Sequence, residues 1–306
     1  AIPVEHGGLG GGTIDTTIVM EELGRASIAA AVVLDAAIGT GCEIIAQHPN
    51  ASTRQSLFAA LAQGAMSFAI AEANDASEAH ATPAGHVLQA ERVLMRGARE
   101  AHRLIVAARS GGETSWFVLA PDTAGVTCRP LESIGLNGAG DLYEVDFRAA
   151  HAERIADGVD IDAALDRSRL HQAAYAIGAA QQVIDEAVRY AQTRQQFGQA
   201  IGRFQAIAHL LADLQVEVDA ARVLMQRAAW LRDRDARCSK EIAMAKLACS
   251  EALLRTTSDA MRVYGGYGLT MEFDVQRTFR DARHLVSEIG TSAEQRRRIV
   301  RAIGVT

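Results

Sequence analysis

Long helical patterns fill the chain from about residue 160 onward, and they constrain the fold more than any other feature of the sequence. Apolar residues recur every three or four positions through residues 170–191, and the same spacing returns through residues 207–231. Each run is long enough for about six or seven helical turns. Long helices joined by short loops predict an antiparallel helical bundle.

Two further helices have predictable ends. One is predicted to start at Ser239, a suitable N-cap residue, and to end before Gly265 and Gly266, which favour a helix stop. The last helix is predicted to begin at Thr291 or Ser292, where an acidic or amide side chain three positions later completes a capping box. We expect both helices to belong to the bundle.

The first half of the chain has different patterns. Residues 14–64 are rich in Ala, Leu and Ile at helical spacing, which predicts two or three helices. Residues 66–148 contain short apolar runs separated by Gly, Pro, Asp and Ser, which predicts antiparallel strands because no helices intervene. The stretch "RLIVAARSGGETSWFVLAP" predicts a hairpin closed by residues 110–113. The predicted fold class is therefore α+β and mainly α, with a helical domain at residues 1–65, a central β domain at residues 66–152 and a helical bundle at residues 153–306.

Composition excludes several classes of partner. A net charge of -6 gives no general attraction to nucleic acid or to an anionic membrane. Four cysteines without CxxC spacing and nine dispersed histidines without an HxxxH pattern indicate neither a disulfide framework nor a metal site. The apolar stretch at residues 26–46 contains Asp35 and Glu43, so we interpret it as a buried helix, not a bilayer span. We therefore expect a cytoplasmic protein with no metal, nucleic-acid or membrane partner.

Two glycine-containing segments are candidate phosphate sites. "HGGLGGG" at residues 6–12 lacks both GxGxxG and the GK[ST] of a P-loop, so a flexible turn is the better prediction. Gly198 and Gly202 interrupt the helical pattern beside Arg194 and Arg203. Exposed backbone amides and guanidinium groups at such a corner can hold a pyrophosphate. A plain turn between two helices explains the same residues equally well.

Taken together, three longer stretches resemble the acyl-CoA dehydrogenase family of flavoproteins: "RQQFGQAIGRFQAIAHLLADL" (194–214), "YGGYGLTMEFDVQRTFRDAR" (264–283) and "GTSAEQRRRIV" (290–300). Fainter matches at residues 3–27 and 166–180 keep the order and spacing of the family over almost the whole chain. The resemblance implies an N-terminal helical domain, a central antiparallel β domain and a C-terminal four-helix bundle. It also implies that the first helices of the N-terminal domain are absent from this chain.

The resemblance implies an FAD site that a neighbouring subunit of a homo- or hetero-tetramer completes. The positions that match family contacts to FAD are Arg194, Gln196, Phe197, Gln205, Arg262, Gly265, Gly266 and Thr291. Asp166 and Arg169 match positions near the substrate, where Arg169 would meet the anionic part of CoA. The implied partners are an acyl-CoA or acyl-carrier thioester and a flavoprotein that accepts electrons.

The chemistry implied by the resemblance is α,β-dehydrogenation, in which a carboxylate removes the α-proton while a hydride leaves the β-carbon for the flavin. The usual base directly precedes the Gly-Thr pair, where this chain has Ile289, and the alternative base precedes the position of Arg169, where this chain has Ser168. Neither Ile nor Ser can act as a general base. Glu288 lies one position away, and one backbone step turns a side chain by roughly 100° to 180°. Glu288 is our candidate for the base.

Other departures from the family pattern fall mostly on the flavin-ring side. Residues 94–96 replace a Trp-Ile-Thr-like segment, residues 71–80 shorten a loop, and Ala293 and Arg262 each replace a glutamine. The residues from Arg194 to Gln205 are kept. Three functions stay open: an active FAD-dependent acyl-CoA dehydrogenase of fatty-acid or steroid side-chain metabolism, the non-catalytic subunit of a heteromeric one, or a flavin monooxygenase on the same fold.

Overall fold

The computed structural model describes residues 2–71, 77–83, 85–156 and 160–305. The helices are α1 (Thr13–Ala26), α2 (Ile28–Ala36), α3 (Cys42–Ala46), α4 (Ala51–Ala62), α5 (Ile161–Thr193), α6 (Gln205–Arg232), α7 (Ser239–Tyr264), α8 (Val275–Leu285) and α9 (Ser292–Ala302). The strands are β1 (Phe68–Ala71), β2 (Glu78–Thr82), β3 (Gly85–Arg96), β4 (Arg103–Ser110), β5 (Glu113–Leu119), β6 (Val126–Leu131), β7 (Leu142–Ala156), β8 (Gln195–Gln196) and β9 (Gln199–Ala200). A helical majority with one large sheet confirms the predicted class, α+β and mainly α. The chain divides into two compact units, and each is described by itself.

The first unit (Ala1–Gly11, Val32–Ser133 and Asn137–Ser168) contains the seven-stranded sheet. Its strand order is β1-β4-β2-β3-β7-β5, with β6 on β7, and β4 also pairs with β5. Strands β4, β2, β3, β7 and β5 therefore close into a ring. Five pairings between described residues of this sheet are antiparallel, as expected, whereas β4 pairs in parallel with both β1 and β2. Residue patterns do not reveal this exception, because the alternation of side chains is the same for both strand directions.

Strand β4 is buried on both faces. Leu104 and Val106 belong to one apolar cluster, while Ile105 and Ala107 belong to another that also contains residues of α3 and α4. Successive side chains of a strand point to opposite faces, so a strand covered on both sides needs a continuous apolar run. The sequence "LIVAA" meets that need. The hairpin from β4 to β5 is confirmed, with Ser110 paired to Glu113.

The second unit (Gly12–Ala31, Ile134–Leu136 and Arg169–Thr306) contains α1, most of α5 and the helices α6 to α9. Helices α1 and α5 approach closely at two glycines. A Cβ added at Gly24 would lie 2.1 Å from the Tyr175 carbonyl oxygen, and one at Gly178 would lie 1.8 Å from that of Glu21. Glycine is required at both positions because the two backbones touch.

Two predicted helix starts have different outcomes. The start of α9 is confirmed, because Thr291 is its N-cap and forms a capping box with Glu294. The predicted N-cap of α7 is wrong by one residue: Ser239 is the first helical residue, and Cys238 occupies the cap position without a side-chain hydrogen bond.

The helical run Ile28–Ala46 is long and apolar enough to cross a membrane by length and composition alone, with a mean hydropathy of 1.8 in its most apolar window. Half of that window is buried inside the protein. A core helix passes the same test, so the composition does not distinguish a core helix from a membrane span.

The predicted short loop at residues 71–80 includes residues 72–76, which lie outside the described residues.

Replacement of Gly178 by alanine tests the close contact of α1 and α5. In an exposed helix this change would stabilise the protein by about 1 kcal/mol. Here we expect a loss of about 1–3 kcal/mol, because the new methyl group forces the two backbones apart. Urea denaturation of Gly178→Ala measures the change. Gly266→Ala is the control, since a Cβ there would meet nothing within 4 Å; equal stability of the two variants would contradict the contact.

Candidate functional site

A groove of about 530 Å³ lies in the second unit, beside the C-terminal ends of α5 and α7. A volume of this size suits a drug-sized ligand or part of a larger one. The groove begins where the helices stop at glycine-containing turns. Its lining residues are Tyr190, Arg194, Gln196, Ile201, Val263, Tyr264, Gly265, Gly266, Tyr267 and Thr270.

Aromatic rings pack beside one another in this region. The ring of Tyr264 lies 4.5 Å from that of Tyr190 and 5.0 Å from that of Phe273, measured between centroids. Tyr267 meets the edge of Phe273 at 5.9 Å. Burial raises the pKa of Tyr264 to about 12. The cluster is a rigid apolar wall that can receive a flat ring.

Backbone and cationic donors lie next to the aromatic wall. Gly265 has φ +60°, in the region that favours glycine, and a Cβ at Gly265 or Gly266 would meet nothing within 4 Å. A ligand can therefore approach the main chain there. The Arg194 guanidinium lies 5.6 Å from the centroid of the Tyr267 ring. Open glycine backbone, a guanidinium group and aromatic rings are a set of groups that fits the pyrophosphate and the flat ring of a dinucleotide.

Four of the eight residues predicted to contact FAD line this groove, namely Arg194, Gln196, Gly265 and Gly266. The other four are outside its lining. Phe197 is 91% exposed, Gln205 is the exposed first residue of α6, and Arg262 pairs with Asp259 at 3.0 Å. The Thr291 hydroxyl accepts the main-chain N–H of Glu294. Roles for these residues in binding FAD stay predictions.

The aromatic residues of the groove were missed in the sequence. Tyr190 lies in the last turn of α5, and Tyr264 ends α7 directly before Gly265. A sequence pattern could have identified them, because an aromatic residue at a helix end beside glycines indicates an open corner with an apolar wall. Tyr267 and Thr270 follow in the same turn, within the "YGGYGLT" stretch.

Four buried side chains hold the segment of residues 285–291, which we call the Ile289 loop. Each donates a hydrogen bond to a main-chain carbonyl oxygen of the loop. The donors are Gln172 Nε2 to Leu285 at 3.0 Å, Lys246 Nζ to Leu285 at 3.0 Å, Arg169 Nε to Ile289 at 3.1 Å and Gln295 Nε2 to Gly290 at 3.2 Å. Because the four donor side chains are buried, these bonds fix the loop more firmly than exposed ones would.

Ile289 has a left-handed backbone with φ +55°. This conformation is unusual for a β-branched residue and costs about 1–2 kcal/mol. The candidate base Glu288 precedes it and is partly buried, with its main-chain N–H donated to the His284 carbonyl at 3.1 Å. A catalytic role for Glu288 stays a prediction.

The two residues predicted to lie near the substrate are both buried. Arg169 is 3% exposed, and its guanidinium donates to the Ile289 carbonyl, as described above. Asp166 is 2% exposed and lies two residues before Ser168 on α5. The geometry therefore gives Arg169 a partner within the protein, and its predicted contact with CoA stays a prediction.

Glycine at position 289 tests the strain in the Ile289 loop. Ile289→Gly and Ile289→Ala lose nearly the same side chain, but only glycine adopts a positive φ without cost. We expect the Gly variant to be more stable than the Ala variant by about 0.5–1 kcal/mol, the reverse of the usual order. Thermal unfolding of both variants gives the difference. A more stable Ala variant would contradict the left-handed backbone at this position.

Several known proteins resemble this chain. The models for "Acyl-CoA dehydrogenase, N-terminal domain" and "Acyl-CoA dehydrogenase, C-terminal domain" match residues 1–65 and 147–304. The protein named probable acyl-CoA dehydrogenase YngJ of Bacillus subtilis (strain 168) is 33% identical, over 98% of this chain and 85% of its own length. Benzylmalonyl-CoA dehydrogenase of Aromatoleum aromaticum (strain DSM 19018 / LMG 30748 / EbN1) is 34% identical, over 95% and 82%. The solved structure of a glutaryl-coenzyme A dehydrogenase complex with glutaryl-CoA is 28% identical, with a TM-score of 0.92 over 100% of this chain and 84% of that one.

Proposed function

Because the chain belongs to the acyl-CoA dehydrogenase family, whose cofactor is FAD, we propose that it oxidises the α,β bond of an acyl-CoA thioester as part of an oligomer. The names of the relatives above support CoA thioesters as the substrate class. The groove is the observation that carries the proposal. It combines open glycine backbone, a guanidinium group and aromatic rings in one place.

In this proposal Arg194, Gln196, Gly265 and Gly266 hold FAD at the groove. The groove is open to solvent, and Phe197, Leu269 and Met271 nearby in the chain are 91%, 75% and 81% exposed. Exposed apolar side chains of this size commonly mark an interface. They support an assembly in which a second subunit covers this face, so that the two chains complete one cofactor site. An electron-accepting flavoprotein would then reoxidise the cofactor.

Bound FAD supplies the two-electron acceptor for the hydride that leaves the β-carbon. The chain must supply the other parts of the reaction. It must exclude water, hold the thioester and provide a carboxylate that takes the α-proton in a dry site. Glu288 is the base predicted from the sequence, and Asp166 and Arg169 are the predicted substrate contacts.

A second candidate function is favoured by one observation. Ile289 and Ser168 occupy the two positions where a base is expected, so the chain could instead be the non-catalytic subunit of a heteromeric dehydrogenase that completes a partner's FAD site. Flavin content and activity of the chain purified alone separate the two functions. Stoichiometric FAD that is reduced by an added acyl-CoA under anaerobic conditions supports the first function. A chain that holds FAD and becomes active only with a second, base-containing subunit supports the second.

Replacement of Arg194 tests the groove as the cofactor site. Arg194→Gln removes a cationic donor, and a hydrogen bond to a charged group contributes about 1.5–3 kcal/mol. We expect FAD to bind at least about tenfold more weakly, measured by flavin fluorescence during titration. Arg25→Gln is the matched control, because Arg25 forms a surface ion pair with Asp185, at 2.5 Å, and is not a predicted FAD contact. Equal FAD affinity in both variants would show that the groove is not the cofactor site.

A further inference from the structure

Asp35 is a buried carboxylate of the first unit that the proposed function does not use. Asp35 is 5% exposed, and its Oδ1 accepts a hydrogen bond from the Ser168 hydroxyl at 3.1 Å. Ser168 Oγ in turn accepts the Thr40 main-chain N–H at 2.9 Å and the Thr40 hydroxyl at 2.8 Å. Asp35 and Ser168 are 133 positions apart in the sequence. The fold therefore brings a carboxylate to a position where the sequence alone shows only a serine.

An irregular turn creates the space for this carboxylate. A π-helical turn, Ala37–Gly41, follows α2, and Gly39 within it has non-helical angles of φ -85° and ψ -114°. A Cβ at Gly39 would lie 2.1 Å from Asp35 Oδ1 and 2.3 Å from Ser168 Oγ. Only glycine leaves room for the carboxylate and the hydroxyl to meet there. π-helical turns are rare and occur frequently at functional sites.

Other buried carboxylates in the described part of the chain have different surroundings; they are Asp146, Asp166 and Asp281. Asp146 pairs with Arg129 at 3.0 Å and accepts the Arg92 main-chain N–H at 2.9 Å. Asp281 accepts the Leu136 main-chain N–H at 2.5 Å. Asp166 precedes Ser168 by two helical positions, so it points to a different side of α5. Asp35 is the buried carboxylate that contacts the Ser168 side chain.

We propose that Asp35 is the catalytic base of this chain and that Ser168 is the positioning residue that orients it. The inference rests on the proposed function, since it names the group that takes the α-proton of the thioester. An O–H bond forms on the Asp35 carboxylate as the Cα–H bond breaks. The electron pair of that bond moves into the thioester as an enolate. Ser168, itself held by Thr40, orients the carboxylate, and the absence of a side chain at Gly39 lets the carboxylate and the hydroxyl meet.

Hydrogen exchange tests the proton transfer separately from oxidation. The probe is a 3-thia-acyl-CoA, in which sulfur replaces the β-carbon. It can lose an α-proton, but it has no β-hydrogen to give up as hydride. The full chain with bound FAD is incubated with the probe in D2O, and mass spectrometry of the recovered thioester gives the rate of α-deuterium incorporation. FAD content and native mass are measured on each variant.

We expect Asp35→Asn to exchange at least about a hundredfold more slowly than the wild type, because general-base catalysis contributes about that much. Asp35→Glu keeps a carboxylate and should retain more exchange than Asp35→Asn. Ser168→Ala should slow exchange without abolishing it. Asp122→Asn, an exposed aspartate between β5 and β6, is the control and should match the wild type. If Asp35→Asn fails to hold FAD, the order of Asp35→Glu and Ser168→Ala relative to wild type still tests the proposal.

The possible outcomes separate the two proposals. Exchange in Asp35→Asn at the wild-type rate, or its loss in Glu288→Gln while Asp35→Asn retains it, would overturn the role of Asp35 alone. If the wild type holds FAD but neither exchanges the probe nor is reduced by any acyl-CoA tested, the proposed dehydrogenation fails as well. Slow exchange in Asp35→Asn with normal FAD content supports Asp35 as the base.

Discussion

Helix α5 buries several polar side chains that need hydrogen-bond partners. The segments around the helix supply such partners. All but one of the residues from Ala164 to Ala180 are buried, including Ser168, Arg169, His171 and Gln172. A buried polar group without a partner is strongly unfavourable, so each needs a donor or an acceptor nearby. In the first unit Ser168 bonds to the turn after α2, and in the second unit Arg169 and Gln172 bond to the Ile289 loop.

The backbone of the Ile289 loop does not depend on the side chain at position 289. Its four buried donors all bond to main-chain carbonyl oxygens, which every residue type offers. The positive φ at this position is unfavourable for isoleucine, yet the donors hold it there. A loop held in this way keeps its shape whichever side chain stands at position 289. The presence of Ile289 is therefore compatible with an intact scaffold and removes only the chemistry of that side chain.

Local patterns predicted much of this molecule, and long-range contacts account for the rest. The helix periodicity, the β4–β5 hairpin and the Thr291 cap depend on residues close together in the sequence, so the sequence revealed them. The parallel pairing of β4 and the contact between Asp35 and Ser168 join distant segments, and no local pattern encodes them. In the sequence, Asp35 is only a charge that interrupts an apolar helix. In the structure it is a buried carboxylate that contacts Ser168, and this contact is the basis for proposing it as the base.

The chemistry of Asp35 bears on the choice between the two candidate functions. The hydrogen bond from Ser168 needs only an acceptor, and the side-chain oxygen of asparagine would provide one without the desolvation of a charge. Gly39 must also stay without a side chain for the two groups to meet. The proposed proton abstraction requires a carboxylate at position 35, because the neutral amide of asparagine cannot take a proton from the substrate. The presence of aspartate at this position therefore agrees with the proposal that this chain supplies the base itself.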